Sequence, residues 1–174
     1  AGLGGGYRSA AVPHNAPVLA SANQADLARD LYAMAGVGPA DVGSVQCYEN
    51  FTGAVAMALC EHGFFEPGAA NDFLQPGALR APDGRLPLNT SGGNLAEGYL
   101  HGLELVIEGV RQVRGQSTSQ ARRADVSLVI GAPLVAPVSA LVPTPKTPTT
   151  PVLIRVSGRV RVSASRARKV WATA

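Results

Sequence analysis

Cysteine is nearly absent from this sequence: Cys47 and Cys60 are its only thiols in 174 residues. Two thiols cannot build the disulfide framework of a small secreted domain, so a cytoplasmic location is expected. Aromatic residues are scarce too, at 5%. No apolar run approaches the ~20 residues that cross a bilayer, and no basic-then-apolar leader pattern is visible. No CxxC or HExxH spacing occurs, so no metal site is expected, and there is no glycine pattern of a phosphate loop. Acidic residues are missing from one region only. Residues 142–174 hold seven of the 15 basic residues and no acid, which leaves eight basic residues against all 12 acids in 1–141, a net of −4. The pI of 9.2 therefore belongs to the tail. Nucleic-acid binding is not expected of the domain itself.

Glycine and proline are abundant, with 20 and 13 residues, beside an apolar content of 46%. That balance fits one globular domain with many tight turns and a sizeable core. Residues 1–16 are weakly patterned. Ser21 followed by Gln24 predicts a capping box for a helix over 22–35, with Leu27 and Leu31 inward and Gly36 as the stop. A short strand over 45–49 runs into a buried helix over 51–63, with Val55, Met57 and Leu59 in its core face. A short helix includes 71–74, and 85–89 is strand-like. A long amphipathic helix is predicted over 95–114, with Leu103, Ile107 and Val110 at core spacing and Gly115 as its end. The run 126–130 reads as a strand covered on both faces, and 138–142 as its returning neighbour. This succession predicts an α/β fold, a mixed sheet with helices packed on it. From Pro143 the chain becomes a Pro/Thr-rich linker and basic tail, 143–174, expected to be disordered, although 152–162 alternates like a strand.

The stretch 88–115, LNTSGGNLAEGYLHGLELVIEGVRQVRG, concentrates the side chains with chemistry. Asn89, Ser91, Asn94 and His101 could orient a carbonyl ligand, and Gly92 and Gly93 would let backbone approach it. Capping and turn formation account for Asn and Ser there equally well, and on residues alone that is the commoner explanation. Tyr48 and Tyr99 each sit where a helix is expected to begin. A phenol there can donate to a developing oxyanion, or it can be an ordinary packed tyrosine with a satisfied hydroxyl. Cys47 reads as a buried strand thiol. His62, at the end of its helix, reads as a cation suited to the dipole.

The same stretch resembles the C-terminal catalytic loop of the thiolase superfamily, roughly N-x-x-G-G-x-x-x-x-G-H-P-x-G. PVLASANQADLARDLYAMAGVGPADV resembles the opening of that family's C-terminal domain. VQCYENFTGAVAMAL takes the place of its NEAF or HDCF segment, and DVSLVIGAPLVAPVSALV of its two last strands. The resemblance covers 17–142 and implies the thiolase-like C-terminal half. Two positions depart from it: Tyr99 stands where the family has the catalytic His, and Tyr48 where it has the oxyanion-hole Asn or His. This double-tyrosine form is similar to the lipid-transfer, sterol-carrier branch. It implies retro-aldol cleavage of an acyl-CoA thioester, with Tyr48 and Tyr99 as acid and base and no covalently bound cofactor. It also implies a homodimer and a DUF35-type partner, a zinc ribbon joined to an OB-fold. Acyl transfer and a non-catalytic acyl-CoA carrier are the alternatives, and an interaction module built on the basic tail is a third. A thiolase-like subunit has two similar halves, so this chain is expected to be the C-terminal piece of a longer protein.

Overall fold

A computed structural model describes residues 21–131, 133–134, 138–144 and 155–156. The expected weak order of 1–16 lies outside these residues, as does the tail beyond 144 except for one short strand.

Four strands form one mixed sheet in the order β1-β2-β3-β4. β1 (Ser44–Cys47) and β2 (Ser127–Ile130) pair in parallel, with Ser44 opposite Ser127 and Cys47 opposite Ile130. β3 (Ala140–Val142) returns antiparallel to β2, and β4 (Arg155–Val156) pairs antiparallel with β3. The strand-like segment 85–89 contributes a single parallel bridge, Leu88 to Val45, on the other side of β1.

Side chains alternate across the sheet, so its two faces differ. Val45, Cys47, Leu128 and Ile130 join the main core with Leu27 and Leu31 of α1 (Ala25–Ala35) and Val55 and Leu59 of α2 (Thr52–Glu61). Ser44, Gln46, Ser127 and Val129 occupy the other face, under α4 (Leu103–Val113). There Gly109 admits the sheet: a Cβ on it would meet Val129 Cγ2 at 2.7 Å. A short α3 (Ala70–Phe73) packs Phe73 into the core.

Three expectations are corrected. The Ser21–Gln24 capping box does not form, and the Gln24 side chain makes no cap. Glu61 of α2 does that work from across the fold, accepting the N–H groups of Ala22 at 2.9 Å and Gln24 at 2.6 Å and the Ser21 hydroxyl at 2.6 Å. A carboxylate at a helix N-terminus satisfies orphan amides and opposes the dipole. The long helix begins at Leu103, not near 95, because Gly98, Tyr99, His101 and Gly102 all have positive φ. Its inward face is also turned from the expected one. Glu104, Leu105, Glu108, Gly109 and Gln112 are buried, whereas Leu103 is 56% and Ile107 39% exposed.

Candidate active site

β1 ends at Cys47, and the Tyr48 N–H continues its ladder by donating to the Ile130 carbonyl at 3.0 Å. Tyr48 therefore stands at the carboxyl end of two parallel strands, the usual ligand-facing edge of an open α/β sheet. The segment 85–89 approaches the same edge. Asn89 closes it with its amide, accepting the Cys47 N–H at 2.7 Å and donating to the Cys47 carbonyl at 2.9 Å. Asn89 Nδ2 also lies 3.3 Å from Glu49 Oε2, which accepts Asn94 Nδ2 at 3.0 Å. Asn89 and Asn94 thus converge on Glu49, a residue that sequence reasoning overlooked although it is the neighbour of Tyr48.

Gly92 and Gly93 turn the chain over this carboxylate with φ of 94° and 67°. A Cβ on Gly93 would fall 2.5 Å from Glu49 Oε1, so the close approach here is to Glu49. Ser91 Oγ, Asn94 Oδ1 and Glu49 Oε1 are buried without a hydrogen-bond partner among the described residues. This corner therefore keeps polar capacity beyond what the fold consumes.

The two tyrosines meet. Tyr48 Oη donates to Tyr99 Oη at 3.0 Å, with rings edge to face at 6.3 Å between centroids. Tyr99 is not on a helix but on the loop before α4, with φ of 51°, and it is half exposed. The His101 ring stands edge-on to it at 5.3 Å. His101 joins the cluster through that ring contact. The hydrogen bond with Tyr99 is the main cause that pushes the Tyr48 phenol up to about 12; burial and the charges of Tyr99, Glu104 and Glu49 add to it. Tyr48 is therefore protonated at neutral pH.

Both cysteines are poor nucleophiles. Burial and then Glu49 push the Cys47 thiol up, and burial leads the same shift at Cys60. The helix-end reading of His62 is overturned. The ring is fully buried, neither nitrogen has a partner among the described residues, and burial lowers its pKa to about 4. A neutral imidazole cannot complement a helix dipole. Among the described residues no His, Cys, Asp or Glu cluster could hold a metal ion, and no helix is long and apolar enough to cross a membrane.

Comparison with known proteins adds to this geometry. The family model described as thiolase C-terminal domain-like matches residues 6–140. A 17-hydroxy-3-oxo-4-pregnene-20-carboxyl-CoA lyase of Mycobacterium tuberculosis is 46% identical over 91 residues, 52% of this chain and 23% of the relative. A steroid side-chain-cleaving aldolase of Thermomonospora curvata is 46% identical over 92 residues, 53% of this chain and 23% of the relative. A solved structure described as an Ltp2-ChsH2(DUF35) aldolase superposes with a TM-score of 0.66 at 38% identity, covering 72% of this chain and 32% of that one. The matched segments thus span about a quarter of the length of these curated relatives.

Proposed function

Because the chain belongs to the thiolase C-terminal domain-like family, we propose that it supplies the tyrosine pair of a retro-aldolase acting on acyl-CoA thioesters. The activity is proposed for a polypeptide of the relatives' length that carries this segment. The substrate class is a β-hydroxyacyl-CoA on a steroid or related lipid side chain, as the names of the two 46% identical relatives suggest. The observation that carries the proposal is the 3.0 Å bond between the Tyr48 and Tyr99 hydroxyls at the ligand-facing sheet edge.

Retro-aldol cleavage needs a proton acceptor for the β-hydroxyl and a proton donor for the enolate. The 3.0 Å hydrogen bond between the two hydroxyls links the pair as a relay. The β-hydroxyl proton passes to Tyr48 Oη, the Tyr48 proton passes to Tyr99 Oη, and the Tyr99 proton goes to the enolate. Meanwhile the Cα–Cβ bond breaks and its electron pair forms the thioester enolate. A new carbonyl and a shortened acyl-CoA result, and both phenols end neutral. No nucleophilic thiol is needed. A DUF35-type partner and a homodimeric arrangement belong to the proposal; the former is motivated by the description of the 0.66 TM-score neighbour.

The test is cleavage of a β-hydroxyacyl-CoA steroid thioester by the full-length enzyme with its DUF35-type partner, followed as release of shortened acyl-CoA. Tyr99→Phe should lower kcat by roughly 10²-fold with KM little changed, the expected loss of an acid–base group. An unchanged kcat would return Tyr99 to an ordinary packing role. Binding of the thioester without turnover by the wild-type assembly would favour a carrier.

A further inference from the structure

Glu104 has no role in the relay, yet it lies in the first turn of α4 with only 1% of its surface exposed. A carboxylate that deep is tolerated when its oxygens meet donors. Here both do: Oε2 accepts the Leu100 N–H at 3.0 Å and Oε1 the Gly102 N–H at 3.1 Å. These amides flank His101 and follow Tyr99 directly.

The segment they belong to has little else to define it. Residues 98, 99, 101 and 102 take φ of 67°, 51°, 53° and 91°, so no helix or strand ladder holds them. For Tyr99 and His101 such a backbone is disfavoured and needs an outside tie. Two charge-assisted hydrogen bonds from one carboxylate are that tie. The far end of the loop is fitted against the other tyrosine. A Cβ on Gly102 would sit 3.1 Å from the Tyr48 ring.

We propose that Glu104 is the positioning residue of the tyrosine pair: by holding the Leu100 and Gly102 amides it keeps the Tyr99 hydroxyl within hydrogen-bond reach of Tyr48. This rests on the proposed function only in treating the pair as catalytic; the clamp itself is read without turnover. Tyr48 faces Tyr99, Glu104 and Glu49, with His101 against the Tyr99 ring. If the clamp opens, Tyr48 loses its bond to Tyr99, the main cause of its raised pKa, and should ionise at lower pH.

The experiment is a tyrosinate absorbance titration of the 174-residue chain, with the Tyr48 contribution isolated by difference against Tyr48→Phe. The wild-type Tyr48 should ionise at about 12. Glu104→Ala and Glu104→Gln should each lower that by about one unit or more, and Glu104→Asp should retain most of it. On a Tyr99→Phe background, Glu104→Gln should move Tyr48 much less. In the full-length enzyme, Glu104→Gln should lower kcat about 10-fold with KM within about twofold. A Tyr48 titration unmoved by Glu104→Gln in a chain that keeps its circular dichroism would overturn the proposal, and this holds even if Glu104→Ala fails to fold. A Glu104→Gln shift of the same size on the Tyr99→Phe background would be the direct loss of the Glu104 charge and would also overturn the clamp. A shift that needs Tyr99, together with cleavage left intact by Tyr99→Phe, keeps the clamp and removes the retro-aldol relay.

Discussion

The two faces of the sheet are held by different physics. Toward α1 and α2, Val45, Cys47, Leu128 and Ile130 meet Leu27, Leu31, Val55 and Leu59, and the contacts are apolar. Toward α4 the same strands present Ser44, Gln46 and Ser127. They are met by a network. Thr90 Oγ1 accepts Gln46 Nε2 at 3.1 Å and Gln112 Nε2 at 2.8 Å and donates to Glu108 Oε1 at 2.5 Å. Glu108 Oε1 also accepts the Ser117 hydroxyl at 2.6 Å and Gln112 Nε2 at 3.0 Å. Ser44 and Ser127 hydrogen-bond across the strands at 2.9 Å. The apolar face stabilises by area and is indifferent to direction. The polar face fixes α4 and the 89–102 segment at defined positions, because each bond has a donor, an acceptor and an angle. It is the polar face that carries the tyrosine loop.

Breaking the polar face should therefore have the larger effect. Glu108→Ala takes the acceptor from the part-buried Thr90 and Ser117 hydroxyls and removes one of the three partners of Gln112 Nε2. We expect a loss of about 4 kcal/mol in urea unfolding, since each buried donor left without a partner costs about 1–3 kcal/mol. A loss under about 1 kcal/mol would mean that water or rearrangement replaces the network and the contrast between faces is false. Leu128→Ala on the apolar face should cost about 3 kcal/mol, the usual price of a truncated core leucine. It should leave the Tyr48 titration unmoved, and a shift would show that the apolar face positions the site as well.

His62 sharpens the comparison, because its ring is buried like Glu108 but its nitrogens have no hydrogen-bond partner among the described residues. Its folded pKa of about 4 lies below the ordinary 6.5. Between those values the unfolded chain binds the proton and the folded one does not, so stability rises with pH there. The stability is fully present above about pH 6.5 and falls as pH drops toward 4, by on the order of 3 kcal/mol. His62→Phe should flatten that window in denaturant midpoints measured from pH 7 to 4. A slope that survives the substitution would have to come from carboxylates.

The smallest effect on stability is expected outside the sheet. Leu100, in the tyrosine loop, and Leu103, at the start of α4, are 58% and 56% exposed. Leu103→Glu should change unfolding stability by less than about 0.5 kcal/mol. The same substitution should weaken the self-association that such an apolar surface favours. Sedimentation over a concentration series checks this; a wild-type chain that stays monomeric would remove the reason for it.

Much of this was legible in the residues. Short β-rich apolar runs place strands over 45–49 and 126–130, and the structure has them at 44–47 and 127–130; α1 and α2 follow from apolar spacing and a glycine stop. Tyr48 and Tyr99 are paired in the sequence by the resemblance; their 3.0 Å contact is made by the loop before α4. The start of α4 was misread because apolar spacing continues upstream of Leu103, whereas the glycines at 98 and 102 permit a left-handed loop that spacing does not register. Leu103 and Ile107 looked like a core face because leucine and isoleucine outweigh Glu and Gln in any apolar count. The buried face is instead the one whose carboxylates find donors: Thr90 and Ser117 for Glu108, and for Glu104 the amides of the left-handed loop just before it.

The sequence by itself determined the family, the order of elements and the apolar half of the core, since these depend on local pattern and residue type. The tertiary structure alone decided that Glu61 caps α1, that Glu49 gathers Asn89 and Asn94, and that Glu104 holds the tyrosine loop. It also decided that His62 stays neutral. For Glu61, Glu49 and His62 this depends on a polar atom meeting, or failing to meet, a partner across the fold; for Glu104 it depends on a left-handed backbone that brings two nearby amides onto it, and apolar spacing records neither.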